Sequence, residues 1–135
     1  MHKPPTNAPT KFAFGMEGQH HAEAFLKAKG YKILHRNYRV RTGEIDLVAK
    51  HQEYIVFVEV KCRRGGGHGL PRESVGKQKQ KQIIKTALYY MVHMGLPDGQ
   101  DYRFDVVEVM LFRKDQDQDQ AMINHIENAF GVGWA

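Results

Sequence analysis

The chain has a single cysteine, Cys62, among its 135 residues. No internal disulfide can form, and a zinc site of the multi-cysteine kind is excluded. This scarcity suits a reducing cytoplasm. Long apolar runs are absent too. Nothing approaches the roughly 18–20 consecutive apolar residues that a membrane span needs, and the most apolar stretch, Ile55-Val56-Phe57-Val58, is of strand length. Residues 1–10 are rich in Pro, Thr and Asn and lack the apolar core of a secretory signal. Residues 1–14 read as a disordered leader, 15–130 as one domain and 131–135 as a tail. Acid is also in short supply, with Asp+Glu 15 against Lys+Arg 20, a net charge of +5 and a pI near 9.4. That balance favours a polyanionic partner. The excess is local, because Glu59 to Lys85 holds eight basic residues and two acidic ones. The eight histidines are scattered. The adjacent pair His20-His21 would point about 100° apart on a helix, which suits one metal poorly.

Gly15 to Lys29 predicts a helix, with Ala22, Phe25 and Leu26 at i, i+3, i+4 and Gly30 as its C-terminal cap. Tyr31 to Arg41 predicts a strand, Thr42-Gly43 a turn, and Glu44 to Lys50 a second strand. On that strand Ile45, Leu47 and Ala49 are expected on one face, and Glu44, Asp46 and Val48 on the other. After a turn at His51-Gln52 comes a third strand, Tyr54 to Cys62. It is apolar on both faces, with Ile55, Phe57, Glu59 and Lys61 opposite Val56, Val58 and Val60, as in a strand covered on both sides. Arg64 to Glu73, with its glycine cluster at 65–69, reads as a loop, and Ser74 as the cap of a second helix. Ile83/Ile84, Ala87/Leu88 and Met91/Val92 give that helix a strong four-residue recurrence, which Gly95 and Pro97 end. Arg103 to Phe112 predicts a fourth strand and Asp115 to Gln120 a solvated loop. Ile123, Ile126 and Phe130 suggest a short final helix. The order αβββαβ implies an α/β domain with a mixed sheet flanked by helices.

The chemistry lies in Gly43-Glu44-Ile45-Asp46-Leu47 and Glu59-Val60-Lys61. A hairpin centred near His51-Gln52 sets Glu44 opposite Glu59 and Asp46 diagonal to it, roughly 7–8 Å away and within bridging reach through an ion. Period two places Lys61 beside Glu59. Three carboxylates together raise one another's pKa, and a divalent cation removes that cost. Mg²⁺ takes one or two carboxylates plus waters and phosphate oxygens, and it can activate water and neutralise phosphoryl charge. Lys61 could orient or deprotonate that water, or stabilise the transition state. An E-x-K triplet alone is common, and cross-strand ion pairs would account for it. Here, however, charged residues interrupt the most buried-looking strand, where an unpaired charge is costly. Lys77, Lys81 and Lys85 form one stripe at i, i+4, i+8, mutually repulsive unless a phosphate backbone lies along it. A plain solvated face fits that stripe equally well. Arg36, Arg39 and Arg41 could extend the same basic surface.

Together, Arg36-Asn37-Tyr38-Arg39, Gly43-Glu44-Ile45-Asp46-Leu47, Val58-Glu59-Val60-Lys61 with Arg63, and Arg103-Phe104-Asp105-Val106-Val107 resemble the YraN family of bacterial proteins. So do Gly18 and Glu23, Val75, Lys77 and Gln78, and His125-Ile126 with Asn128-Ala129-Phe130. The match runs from about Gly15 to Phe130. That family is similar to the restriction-endonuclease-like superfamily and to archaeal Holliday junction resolvases. The resemblance implies a three-layer α-β-α fold carrying a D…(D/E)-x-K signature, with Asp46 and Glu59 as metal ligands and Lys61 as the catalytic lysine. It adds Glu23 as a further metal-site acid from the first helix and brings Gln78 near the site.

The resulting expectation is an Mg²⁺- or Mn²⁺-dependent endonuclease acting on DNA, on branched or recombination intermediates in particular. Asp46, Glu59 and Lys61 are its catalytic residues, and Arg36, Arg39, Arg41, Arg63, Lys77, Gln78 and Lys81 contact the nucleic acid. A junction substrate would suit a homodimer. The rivals are a module with this fold that binds nucleic acid without cutting it, and a scaffold whose basic surface is incidental.

Overall fold

The computed structural model of the chain describes residues 11–64, 75–115 and 118–132. Its elements are α1 (Lys11–Ala28), β1 (Lys32–Val40), β2 (Gly43–His51), β3 (Tyr54–Arg64), α2 (Lys77–His93), β4 (Tyr102–Asp115) and β5 (Gln118–Phe130). One five-stranded sheet runs β1-β2-β3-β4-β5, with β3–β4 parallel across the α2 crossover and the other pairs antiparallel. No described helix is long and apolar enough to cross a membrane. Of the expected leader at 1–14, residues 11–14 are instead the first turn of α1, and 1–10 lie outside the described residues, as do the glycine loop at 65–69 and the Ser74 cap. Helix α2 starts after Gly76, with no side-chain cap.

A helix covers each face, giving three layers, α-β-α. Ala22 and Leu26 of α1 pack with Leu47, Ala49, Val56, Val58, Val107 and Val109. Ile83, Ala87 and Tyr90 of α2 pack with Ile45, Val48, Phe57, Phe104 and Val106. The expected alternation holds along β3, but β2 departs from it: Ile45 joins the α2 side, whereas Leu47 joins the α1 side. The β1–β2 register is the same on both sides, with Arg36 opposite Leu47 and Tyr38 opposite Ile45, so both strands change face together. Asn37 is left-handed (φ 52), and its side chain exchanges two hydrogen bonds with the buried Gln19 of α1.

The segment expected to be a final helix is the fifth strand. From Ala121 to Ile126 its residues alternate in exposure, and each has a partner on β4 from Leu111 to Val106. Pairing with an apolar strand decides between two readings that the spacing of Ile123 and Ile126 leaves open. The Asp/Gln stretch read as a loop supplies strand ends instead, since Arg113 pairs with Asp119 and Asp115 with Gln118. The element order is therefore αβββαββ. Asp105, fully buried in β4, is held by three groups. His125 Nε2 lies 2.7 Å away, Arg103 Nε donates at 3.0 Å and the Asn128 backbone N–H donates at 3.0 Å. These bonds and the Arg103 charge together outweigh burial and hold its carboxyl below the usual range.

Candidate active site

The floor of the site comes from the β2–β3 hairpin. Its turn is Gln52-Glu53, one residue later than the expected turn, and Gln52 takes the left-handed conformation (φ 55). The ladder pairs His51 with Tyr54 and Leu47 with Val58. Continued, that register sets Asp46 itself across from Glu59, rather than diagonal to it. The regular β2–β3 ladder stops at Leu47. Beyond it Asp46 Oδ2 accepts the Val60 backbone N–H at 2.8 Å. A side-chain carboxylate thus takes a β3 amide, and the strand ends open where the acids converge.

The result is a cleft of about 350 Å³ on the α2 side, whose lining includes Arg39, Glu44, Asp46, Glu59, Lys79 and Gln82. Gly43 lets α2 approach the rim, because a Cβ there would stand 3.2 Å from Thr86 Oγ1. Thr42 and Thr86 hydroxyls meet at 3.0 Å and fasten the β1–β2 turn to the helix.

Burial pushes the Asp46 carboxyl up to about 7. The neighbouring Glu59 charge adds to the shift, and the Val60 amide opposes it. Glu59 is 6% exposed and forms an ion pair with Lys79, Nζ to Oε2 2.9 Å. Burial disfavours charge on Lys79, but Glu59 and then Asp46 and Glu44 more than compensate, so its pKa is raised. Glu44 at the rim is held by Arg39 at 2.9 Å.

The expected residues divide. Asp46, Glu59 and Glu44 come together. Lys61 shares the Glu59 face, half-buried, but does not line the cleft; it pairs in register with Glu108 of β4. Glu23 does not line it either. Its carboxylate is engaged on α1 by Arg36 Nε at 2.8 Å and by Lys27 at 3.0 Å, and it sits at about 2 chiefly through the Arg36 bond. The basic strand surface also separates: Arg36 serves Glu23, Arg39 serves Glu44, and Arg41 is exposed at the turn. Arg63 is exposed at the end of β3, and Lys77 and Gln78 are exposed on α2. Gln78 and Lys81 line a second groove beside the first, with Thr42, Gln82 and Lys85.

Two residues of interest were not singled out from the sequence. Lys79 counted only toward the basic run, yet it is in phase with Ile83, Thr86 and Tyr90, the buried stripe of α2. That phase marks it as inward-facing. Glu108 is 7% exposed and accepts a 2.9 Å hydrogen bond from Asn124. Its place beside Lys61 depends on the parallel β3–β4 register, which no local pattern reveals.

Among the described residues, no three His, Cys, Asp or Glu side chains form a ready metal cage. The donor set is two hard carboxylates, Asp46 and Glu59, with Glu44 at the rim. It fits a cation that keeps waters and takes its remaining ligands from a phosphate.

Fold and site define a class: a three-layer α-β-α domain with paired carboxylates at the open end of a hairpin. The chain belongs to the uncharacterised protein family UPF0102, whose model matches residues 18–109. This is the YraN family that the motifs resemble. It is 42% identical over 125 residues to a UPF0102 protein of Syntrophotalea carbinolica, covering 92% of this chain and 97% of that one. It is 46% identical over 113 residues to one of Clostridioides difficile, covering 84% and 92%. A Clostridium acetobutylicum relative is 43% identical over 118 residues, covering 87% and 93%.

Proposed function

We propose that this protein is a divalent-metal-dependent endonuclease that hydrolyses phosphodiester bonds in DNA, with branched or recombination intermediates as its substrates. One observation carries the reading: half-buried Asp46 and buried Glu59 line the same open cleft. Two carboxylates so placed repel unless a cation lies between them. Asp46 and Glu59 would hold Mg²⁺ or Mn²⁺, which supplies an activated water and neutralises phosphoryl charge.

The chain's own groups do the rest. Lys61 shares the Glu59 face of β3 but stands outside the cleft lining; in this reading its long side chain reaches in to orient the attacking water or to offset charge on the phosphorus oxygens. Water oxygen bonds to phosphorus, the bond to the 3′ oxygen breaks, and a 5′-phosphate and a 3′-hydroxyl result. Lys77, Lys81 and Lys85 on the outer face of α2 hold the flanking phosphates. A two-fold junction substrate suits a pair of such subunits acting together, and the chemistry suits the cytoplasm.

The test offers linear, nicked, flapped and four-way DNA with Mg²⁺, Mn²⁺ or chelator. Asp46→Asn, Glu59→Gln and Lys61→Ala should each reduce cleavage by at least about 100-fold, the scale of a lost general acid–base or electrostatic contribution. Cleavage that survives all three changes sinks this site. Tight binding with no cutting of any substrate favours a non-cleaving binding module.

A further inference from the structure

Of the α2 lysines, Lys77, Lys81 and Lys85 follow the outer face, while Lys79 lies in phase with the buried stripe. Its ammonium meets Glu59 at 2.9 Å, and its side chain is still 51% exposed. A flexible stem therefore leaves solvent to place one charge on a carboxylate that is itself almost fully covered. That ammonium is the cationic partner Glu59 has in the cleft.

Lys79 holds Glu59 through Oε2. A divalent ion that takes that oxygen must displace the ammonium, and one that takes the other oxygen is repelled by it, so lysine and metal compete. We propose that Lys79 is an exchangeable resident counter-ion: it occupies Glu59 in the metal-free protein and is displaced when a divalent cation enters. This inference rests on Asp46 and Glu59 forming the metal site. The exposed stem allows the ammonium to swing outward once released. It then lies at the mouth of the cleft, on the first turn of an α2 that has no acidic residue there. A phosphate at that mouth is the natural acceptor for it. Phosphate binding would draw Lys79 off Glu59 and so strengthen metal binding, and by linkage metal would strengthen phosphate binding equally. Lys79 thereby makes the site hold metal poorly until a phosphate backbone arrives. It is a positioning residue, acting on the metal through Glu59.

Mn²⁺ titration of the full chain, followed by electron paramagnetic resonance without DNA, tests this. Lys79→Met and Lys79→Gln should each bind Mn²⁺ about 3- to 30-fold more tightly than the parent, the range expected for an ion pair of roughly 0.7–2 kcal/mol. Lys77→Met makes the same charge change on the outer face and should stay within about twofold of the parent. Glu59→Gln should bind weakly in any background. Circular dichroism checks that each variant is folded, and two substitutions at Lys79 guard against the loss of one. Equal or weaker binding by folded Lys79 variants overturns the inference alone. Failure of parent and Lys79 variants alike to bind Mn²⁺ at millimolar concentration overturns the metal site and the inference with it.

Discussion

At Asp46, burial and a neighbouring charge act in the same direction. Its carboxyl rises from 3.8 to about 7 because burial and Glu59 both disfavour the anion. The folded chain thus keeps a proton that the unfolded chain releases, and stability falls as pH rises from about 4 to about 7. Above that window the full penalty is present. Asp46→Asn can still accept the Val60 amide and carries no charge. Its melting temperature at pH 8 should exceed that of the parent in chelator, with a flatter profile between pH 4 and 7; an unchanged profile would contradict this account. Glu23 has the opposite sign. Its carboxyl drops from 4.5 to about 2, first through Arg36, with burial opposing and Lys27 assisting. Its contribution is complete above about 4.5 and is lost as pH falls toward 2. In urea melts across that range, Glu23→Gln should show a weaker acid dependence than the parent and lower stability at pH 7. Both acids are conspicuous in the sequence. Their opposite situations are not, because each depends on partners brought in from other elements: Glu59 on β3 for Asp46, and Arg36 on β1 for Glu23.

Between elements, α1 comes close to β3 at Gly18. A Cβ at Gly18 would lie 2.4 Å from Cys62 Sγ and 2.7 Å from Cys62 Cβ. Gly18→Ala should therefore destabilise by about 1–3 kcal/mol, the usual cost of overpacking. Cys62→Ala in the same chain should recover part of that loss, since it removes the sulfur atom. Additive losses in a double-mutant cycle would show that the contact is not what limits Gly18. At this scale the sequence was readable wherever one period dominated. The α2 recurrence and the two-sided β3 specify their elements. The change of face in β2 between Ile45 and Leu47 was not readable, because Asp46 leaves the ladder to take the Val60 amide, a bond that no period announces. The fifth strand was missed for a similar reason, in that β4 supplies its hydrogen bonds from outside the segment.

For the whole molecule, the α2 lysines Lys79, Lys81 and Lys85 stand at or beside the cleft. The groove lined by Thr42, Gln78, Lys81, Gln82 and Lys85 adjoins the cleft lined by Asp46 and Glu59, and Gln82 belongs to both. A strand bound across them would place phosphates on the lysines and one phosphodiester above the acids. Binding measured without metal should weaken steeply with salt, and Lys81→Ala and Lys85→Ala should each lower the slope of log K against log salt by about 1. Their effect should be uniform across DNA sequences. A slope unchanged in both variants would place the nucleic acid elsewhere. Composition pointed toward a polyanionic partner, and the paired motifs pointed to the acids that line the cleft. The division of labour among the lysines emerged only once the helix was docked on the sheet.

The sheet's strand order matches the order along the chain, and this bears on how the protein acquires its site. Three of the four strand pairings join neighbours in sequence, while β3–β4 alone must close a long loop across α2. Local pairings are the fast ones, and a long closure is slow because its entropy is lost before the contact rewards it. Asp46, Glu59 and Lys79 all lie ahead of that closure in the chain, on β2, β3 and α2. The acidic hairpin can therefore form early in folding, exposed and without its covering helix. Under the proposed metal reading, divalent ions present at that stage would meet the acids of a nascent hairpin before the rest of the domain has formed.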